Sequence, residues 1–373
     1  MKYRVLLCIF FIIYFTSTAC TMSPTVTDNN TDNEQITALP NDELNMETSG
    51  INGEIADDNA AIQWVEPALE ALVRQELDKP AGDIFQSDLD YVKTIRLIGE
   101  THIAINDSFG SRVQLHDLDD AGKPLKDGTY ELDGKQYMRG SISSLADFAN
   151  FRNVEDIRIY KNDLQDLSGL ASLEKLEFLR LSDCSIFSIE SLEKLSHINF
   201  LDLSSNQITD IEPLCKLEQV SNIGLGNNNI TNFDKLSFVK NLQMLYIEYN
   251  PIDNIEFIKH LDKLISFGII GTEVADIAVL AEKPELLSLY LKDMDVERLD
   301  LRPLVTLDKL LVLSVSQNRA ELLGIQVIGG FKDLKALTIA PNDINISEED
   351  IDWLREQLPH CQIVSDPSQL IVQ

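Results

Sequence analysis

The apolar positions of this chain fall into columns. One unit runs Ile198, Leu201, Leu203, Ile208, Ile211, Leu214 and Leu217, with Asn206 between the Leu-x-Leu step and the next aliphatic residue. Adding 22 lands on Val220, Ile223, Leu225, Ile230, Phe233, Leu236 and Val239, with Asn228 in the polar slot. Adding 22 again gives Leu242, Leu245, Ile247, Ile252, Ile255, Ile258 and Leu261, with Asn250. Backward steps give Leu179, Leu181, Cys184 and Ile186, then Ile157, Ile159, Asn162 and Leu164. Nine units start near 154, 176, 198, 220, 242, 264, 286, 310 and 334, the last steps lengthening to 24. Each Leu-x-Leu predicts a short strand whose alternate side chains point inward. A single such strand cannot bury its face, so successive units must stack around a continuous core. The Asn column turns the chain after the strand and satisfies backbone groups inside the turn. Cys184 stands in that column and reads as structural. Thr272 and Met294 depart from it, which predicts two less regular turns.

These columns resemble the leucine-rich repeat, in the 22-residue form of internalin-like bacterial surface proteins. The resemblance covers about 62–365. It implies an α/β solenoid: a right-handed superhelix with a parallel concave sheet of short strands, an irregular or 3-10 convex side and a helical N-terminal cap.

Both ends look capped. Glu66 and Pro67 open a helix with Leu69, Leu72, Val73 and Leu77 on one face, and proline suits a first helical turn. Residues 62–89 resemble the N-terminal cap of bacterial leucine-rich-repeat surface proteins, and Val92-x-x-Ile95-x-Leu97 predicts a first strand. Ser347 before Glu348, Glu349 and Asp350 marks a second helix start. Its apolar face is Ile351, Leu354 and Leu358. Leu358-x-x-Cys361-x-Ile363 then repeats the strand spacing and puts Cys361 inside a buried closing strand.

Residues 101–140 interrupt the pattern, which resumes at Ile142, Leu145, Phe148 and Phe151. Asp133-Gly134, flanked by Tyr130, Leu132 and Tyr137, predicts a hairpin. The insertion is read as a protruding hairpin, with a recognition loop as the alternative. Asp117-x-Asp119-x-x-Gly122 has the opening spacing of a calcium loop, but Ala121 and Gly128 stand where an EF-hand needs oxygen ligands. No metal or cofactor is expected.

The chain begins with Lys2 and Arg4, an eleven-residue apolar run from Val5 to Phe15, then Ser17, Thr18 and Ala19 before Cys20. That run is too short for a permanent bilayer span and reads as a cleaved signal. Ala19-Cys20 resembles a bacterial lipoprotein signal, which implies a lipidated Cys20 and an extracytoplasmic, membrane-anchored protein. Residues 21–60 hold nine Asp or Glu, no Lys or Arg and no aromatic, a composition that cannot offset its ordering entropy. The predicted organisation is a signal peptide over 1–19, an acidic disordered tether over 20–60, and the cap with the first strand over 61–100. The inserted hairpin segment follows over 101–140. The solenoid with its C-terminal helix and closing strand spans 141–365, and a tail 366–373.

The formal charge of −30 opposes binding to a phosphate backbone, so nucleic acid is not an expected partner, and it favours a dispersed monomer. Cys184, Cys215 and Cys361 show no metal spacing and no disulfide framework. The five histidines form no H-E-x-x-H motif, and Gly224-x-Gly226 lies within a repeat strand and opens no phosphate-binding helix. Nothing points to catalysis.

Binding chemistry is expected instead on the concave face, where residues flanking the inward positions project. One cluster is Arg158, Tyr160, Arg180 and Phe200. The two arginines are adjacent like charges that need acids such as Asp156, Asp183 or Asp202 beside them. The other cluster is Met244, Tyr246, Glu248, Tyr249, Tyr290 and Lys292, with Gly224, Gly226 and Gly268 expected to leave open space. Exposed Tyr, Met and Arg are enriched at interfaces. The sequence thus predicts a non-catalytic module that binds a protein partner on its concave face. The alternative is a cell-envelope structural protein or adhesin that binds wall polysaccharide.

Overall fold

The computed structural model describes residues 60–99, 102–106, 129–132, 135–316, 318–339 and 346–365. The signal, the tether, the calcium-like stretch and the tail lie outside these residues. Eleven parallel strands stack in one sheet: Thr94–Ile98, Asp156–Tyr160, Phe178–Ser182, Phe200–Asp202, Asn222–Gly224, Met244–Tyr246, Ser266–Gly268, Ser288–Tyr290, Val312–Ser314, Ala336–Thr338 and Gln362–Val364. The register follows the sequence columns. Ile157 pairs Leu179, Leu201 pairs Ile223, Leu245 pairs Phe267, and Leu289 pairs Leu313. All these side chains are buried.

Behind the sheet runs a stack of 3-10 segments, from Ala146–Asn150 through Glu212–Lys216 to Ile325–Gly330. Several are started by an Asp or Asn two residues before the first helical residue. Asp210 accepts the N–H of Glu212 at 2.8 Å, Asn232 that of Asp234 at 2.7 Å, and Asp276 that of Ala278 at 2.8 Å. Such Asx turns offer the chain a local bond that competes with a longer helix.

The asparagine column works as a ladder. Asn228 Nδ2 donates to the carbonyls of Leu203, Leu225 and Gly226 at 3.0, 3.0 and 3.3 Å, and its Oδ1 accepts the N–H of Ile208 at 3.0 Å. Asn206 and Asn250 make the corresponding bonds one repeat away on either side. Cys184 is fully buried in this column, where its backbone N–H meets Asn206 Oδ1 and burial pushes its thiol up to about 12, so it is packing and not a nucleophile. At Thr272 the ladder stops. Its hydroxyl bonds only the local Ile269 carbonyl, at 2.9 Å, with Met294 sulfur at 3.8 Å, and Ile252 N–H turns instead to the Asn250 carbonyl. The ladder resumes at Asn318, which receives the N–H of Met294.

The helix Pro67–Glu76 caps the N-terminal end, burying Leu69, Leu72 and Val73. It is pinned by exchanged carboxylates. Asp147, almost fully buried, accepts the N–H groups of Val65 and Glu66, while Glu66 accepts the N–H of Ser143. The C-terminal helix Glu348–Gln357 starts at Ser347, whose hydroxyl accepts the N–H of Asp350 at 3.0 Å.

Three features differ from the sequence reading. First, the insertion begins inside the sheet: His102–Ile105 pairs antiparallel with the first strand, Ile95 opposite Ile105 and Ile98 opposite His102. The strands Thr129–Leu132 and Lys135–Met138 pair antiparallel around 133–134. Second, the two 24-residue steps each carry an extra strand. Arg298–Asp300 and Glu321–Leu323 form a separate parallel pair, which takes up the added length. Third, the closing strand is shifted by two residues. Ile363, not Cys361, sits opposite Leu337, so Cys361 precedes the strand and is only partly buried. A two-residue slip keeps the same face inward, which is why the spacing misled.

Candidate functional site

Residues alternate along a strand, so Arg158, Arg180, Asp202, Gly224, Tyr246, Gly268, Tyr290 and Ser314 share one concave column through direct pairing. Phe178, Phe200, Asn222, Met244, Ser266 and Ser288 form the column beside it.

The first cluster is a neutralised stack. Phe178 and Phe200 lie face to face, centroids 4.1 Å apart and planes 3° from parallel. The Arg158 guanidinium caps Phe178 at 4.3 Å, and that of Arg180 lies 5.4 Å from Phe200. Each arginine has its own acid. Arg158 is bidentate to Asp156 at 2.9 and 2.7 Å; Arg180 meets Asp202 at 2.8 Å and the Tyr160 hydroxyl at 3.2 Å. Asp183 serves elsewhere. It binds Arg139 at 2.6 Å and Lys161 at 2.7 Å, and these bonds hold its carboxyl below the usual range although burial pushes the other way. Phe178 and Arg139 were not singled out from sequence. Phe178 occupies the same flanking position as Phe200 and could have been found there. Arg139 closes the inserted segment, and no repeat column contains it.

The second cluster is only partly accessible. Met244 and Tyr246 are buried, 6% and 5% exposed, and the Tyr246 hydroxyl is 2.8 Å from Ser266 Oγ. Tyr290 is half-buried, its ring 6.2 Å from that of Tyr246. The glycines do not leave open space, contrary to expectation, because their neighbours lean into it. A methyl group at Gly224 would lie 3.0 Å from Asp202 Oδ1, at Gly226 2.6 Å from Glu248 Oε2, and at Gly268 3.0 Å from the Tyr246 ring. These glycines are seats for adjacent side chains.

Tyr249 is the exception. It is 44% exposed and has a φ of +50°. The same slot in the other repeats holds Lys161, Asp183, Ser205, Asn227, Gly271 and Asp293, all left-handed and none aromatic. An aromatic ring is an outlier there, and such strain gathers at functional positions. Its ring crosses Gly271, where a methyl group would be 2.2 Å from Cδ1, and its hydroxyl is 3.4 Å from Asp293 Oδ2. Lys292, two strands from Glu248 in the same concave column, is partly buried, and burial lowers its pKa.

Among the described residues, no group of three His, Cys, Asp or Glu is arranged to hold a metal ion. No helix among them is long and apolar enough to cross a membrane.

The stacked parallel strands, the 3-10 backs and the asparagine ladder define a leucine-rich-repeat solenoid. The family description Leucine Rich repeats (2 copies) matches residues 174–216. The chain is similar to internalin C2 of Listeria monocytogenes, with 25% identity, a TM-score of 0.50, and coverage of 66% of this chain and 92% of that one. It also shares the fold of internalin F of Listeria monocytogenes, with 17% identity, a TM-score of 0.52, and coverage of 81% and 95%. No curated protein sequence matches the chain significantly. None of these likenesses indicates a catalytic family.

Proposed function

We propose that this protein is a non-catalytic binding module, held outside the cytoplasmic membrane by lipid on Cys20, that recognises a protein partner on its concave face. Stacked repeats present extended concave surfaces suited to binding. The observation that carries the reading is Tyr249: a large aromatic is held in a strained backbone conformation, half-exposed, over a glycine shaped to receive it. Packing alone would favour Asn or Gly in that slot. Tyr290, Arg158, Tyr160, Arg180, Phe200, Met244, Tyr246, Glu248 and Lys292 complete the proposed surface, the buried ones as its supporting floor.

The test is affinity capture with mature wild-type protein and with a Tyr249→Ala/Tyr290→Ala variant, from a protein extract and, in parallel, on purified wall polymer. A protein retained by the wild type and lost from the variant supports the assignment. Retention of polymer instead favours the structural or adhesin alternative, and equal capture by both proteins overturns the concave site. Cys20→Ala should move the protein from the membrane fraction to the soluble extracytoplasmic fraction; membrane retention would remove the anchor from the proposal.

A further inference from the structure

We propose that the centre of the concave face, around Glu248, receives a lysine or arginine side chain of the partner protein, with Tyr249 and Tyr290 flanking it. This deepens the protein-binding reading above and rests on it. Glu248 projects from the concave column beside Gly226 on one strand and Ile270 on the other, with Gly268 diagonal to it. One carboxyl oxygen reaches over Gly226 and the other toward Gly268, which the Tyr246 ring also covers, so the carboxyl fills the room that the missing side chain of Gly226 leaves on the sheet. Its own backbone N–H is the one hydrogen bond bearing on its ionisation, and no cation among the described residues offsets its burial. The charge acting on it is Asp202, an acid, which already serves Arg180 and the N–H of Ser204.

The surroundings point the same way. Burial, Asp293 and Glu248 all raise the pKa of the Tyr249 phenol, so this rim carries the negative charge of Asp293 and gains that of Glu248 once its proton leaves. Lys292 lies two strands along the same column, beyond Ile270, and its charge would direct an incoming cation away from itself and toward the Gly226 side. A carboxylate beside aromatic rings in a partly desolvated place is the arrangement that recognises an ammonium or guanidinium group. The net charge of −30 adds long-range attraction for a basic partner. Burial holds the Glu248 carboxyl protonated to about pH 8 while the site is empty. An arriving cation would therefore ionise it and release one proton to the buffer.

The experiment selects binders from a random dodecapeptide display on the full mature chain. The selected peptides are then titrated against wild type, Glu248→Gln, Glu256→Gln and Tyr290→Ala at pH 7, in two buffers of different ionisation enthalpy. Glu256 is an exposed acid on a 3-10 segment behind the sheet and controls for net charge. The expected result is Lys- or Arg-bearing peptides that bind Glu248→Gln at least tenfold more weakly, bind Glu256→Gln as well as wild type, and release a proton only with Glu248 present. Acidic or uncharged peptides as winners would overturn the proposal, as would equal affinity for Glu248→Gln. Loss of binding in Tyr290→Ala with none in Glu248→Gln would retire the cation site and keep the concave face. Indifference to both variants would retire the concave reading as well. Glutamine is isosteric with the protonated acid, so a melting temperature equal to that of wild type at pH 5 confirms that Glu248→Gln is folded.

Discussion

Tyr249 reaches across an entire repeat to Asp293, its ring laid over Gly271 and its hydroxyl 3.4 Å from the Asp293 carboxylate. Asparagine tolerates the left-handed backbone better than tyrosine does. Tyr249→Asn is therefore expected to keep or raise stability, by about 1 kcal/mol or less, while partner capture falls. Urea denaturation beside a capture assay checks both halves, and a destabilised variant would mark the tyrosine as a packing residue.

The asparagine ladder makes a sharper stability forecast. Asn228→Ala would strand the Ile208 N–H and take one of two donors from each of the carbonyls of Leu203, Leu225 and Gly226, which keep Asn206, Asn250 and the Ser205 N–H. With about 1–3 kcal/mol for the N–H left unpaired and about 0.5–1.5 kcal/mol for each further bond lost, a cost of roughly 3 kcal/mol is expected. Thr272→Ala, which removes a single local bond to Ile269, should cost about 1 kcal/mol. Equal losses in denaturant melts would show that the ladder is not what binds the repeats.

Lys283 stands where the other repeats carry Leu217, Val239, Leu261 and Leu307. Its ammonium is tucked in, 5% exposed, donating to the carbonyls of Lys259 and Leu261, and burial depresses its pKa. Replacing a buried charge by an apolar group of similar volume is often neutral or stabilising. Lys283→Met should thus raise stability at neutral pH, by about 1 kcal/mol. For a lysine whose folded pKa is depressed, the burial penalty is relieved as pH rises into the lysine range, so the variant's advantage should shrink there. Thermal melts at pH 7 and pH 10 test the sign; a less stable variant would make carbonyl capping the larger effect.

Glu248 gives a pH signature of its own. The unfolded chain ionises it in the ordinary carboxylate range and the folded chain near 8. Its contribution is complete on the acid side and is lost as pH rises between those two values. Relative to Glu248→Gln, the wild type should therefore lose melting temperature from pH 5 to pH 8. A pH-independent gap between the two proteins would mean that the carboxyl is solvated.

The columns from Ile157 to Ile339 were legible because every inward position is buried by its neighbours in both directions, leaving only aliphatic or aromatic residues tolerable there. The Ser347 cap was legible for a local reason, its partner Asp350 lying three residues away. Cys361 was misplaced because apolar spacing alone cannot choose between registers two residues apart. The concave face was only half readable. Its columns followed from alternation, but the closing of the glycine gaps by Asp202, Glu248 and Tyr246 depends on rotamers that no spacing specifies. The left-handed backbone at Tyr249 could have been inferred from Asn227 and Gly271 in the same slot.

The missing asparagine at Thr272 has a mechanical consequence. A solenoid behaves as a one-dimensional array whose cooperativity is limited by its weakest junction. With the asparagine ladder interrupted there, the repeats on either side form two blocks joined by sheet and core contacts, the Glu273 N–H on the Ile252 carbonyl and the Lys283 ammonium on the Lys259 and Leu261 carbonyls, and amide exchange should step at this seam. Tyr249, lying across Gly271 toward Asp293, straddles that same seam. A partner gripping Tyr249 would act as a splint, so occupancy should be felt as stiffness in repeats it never touches.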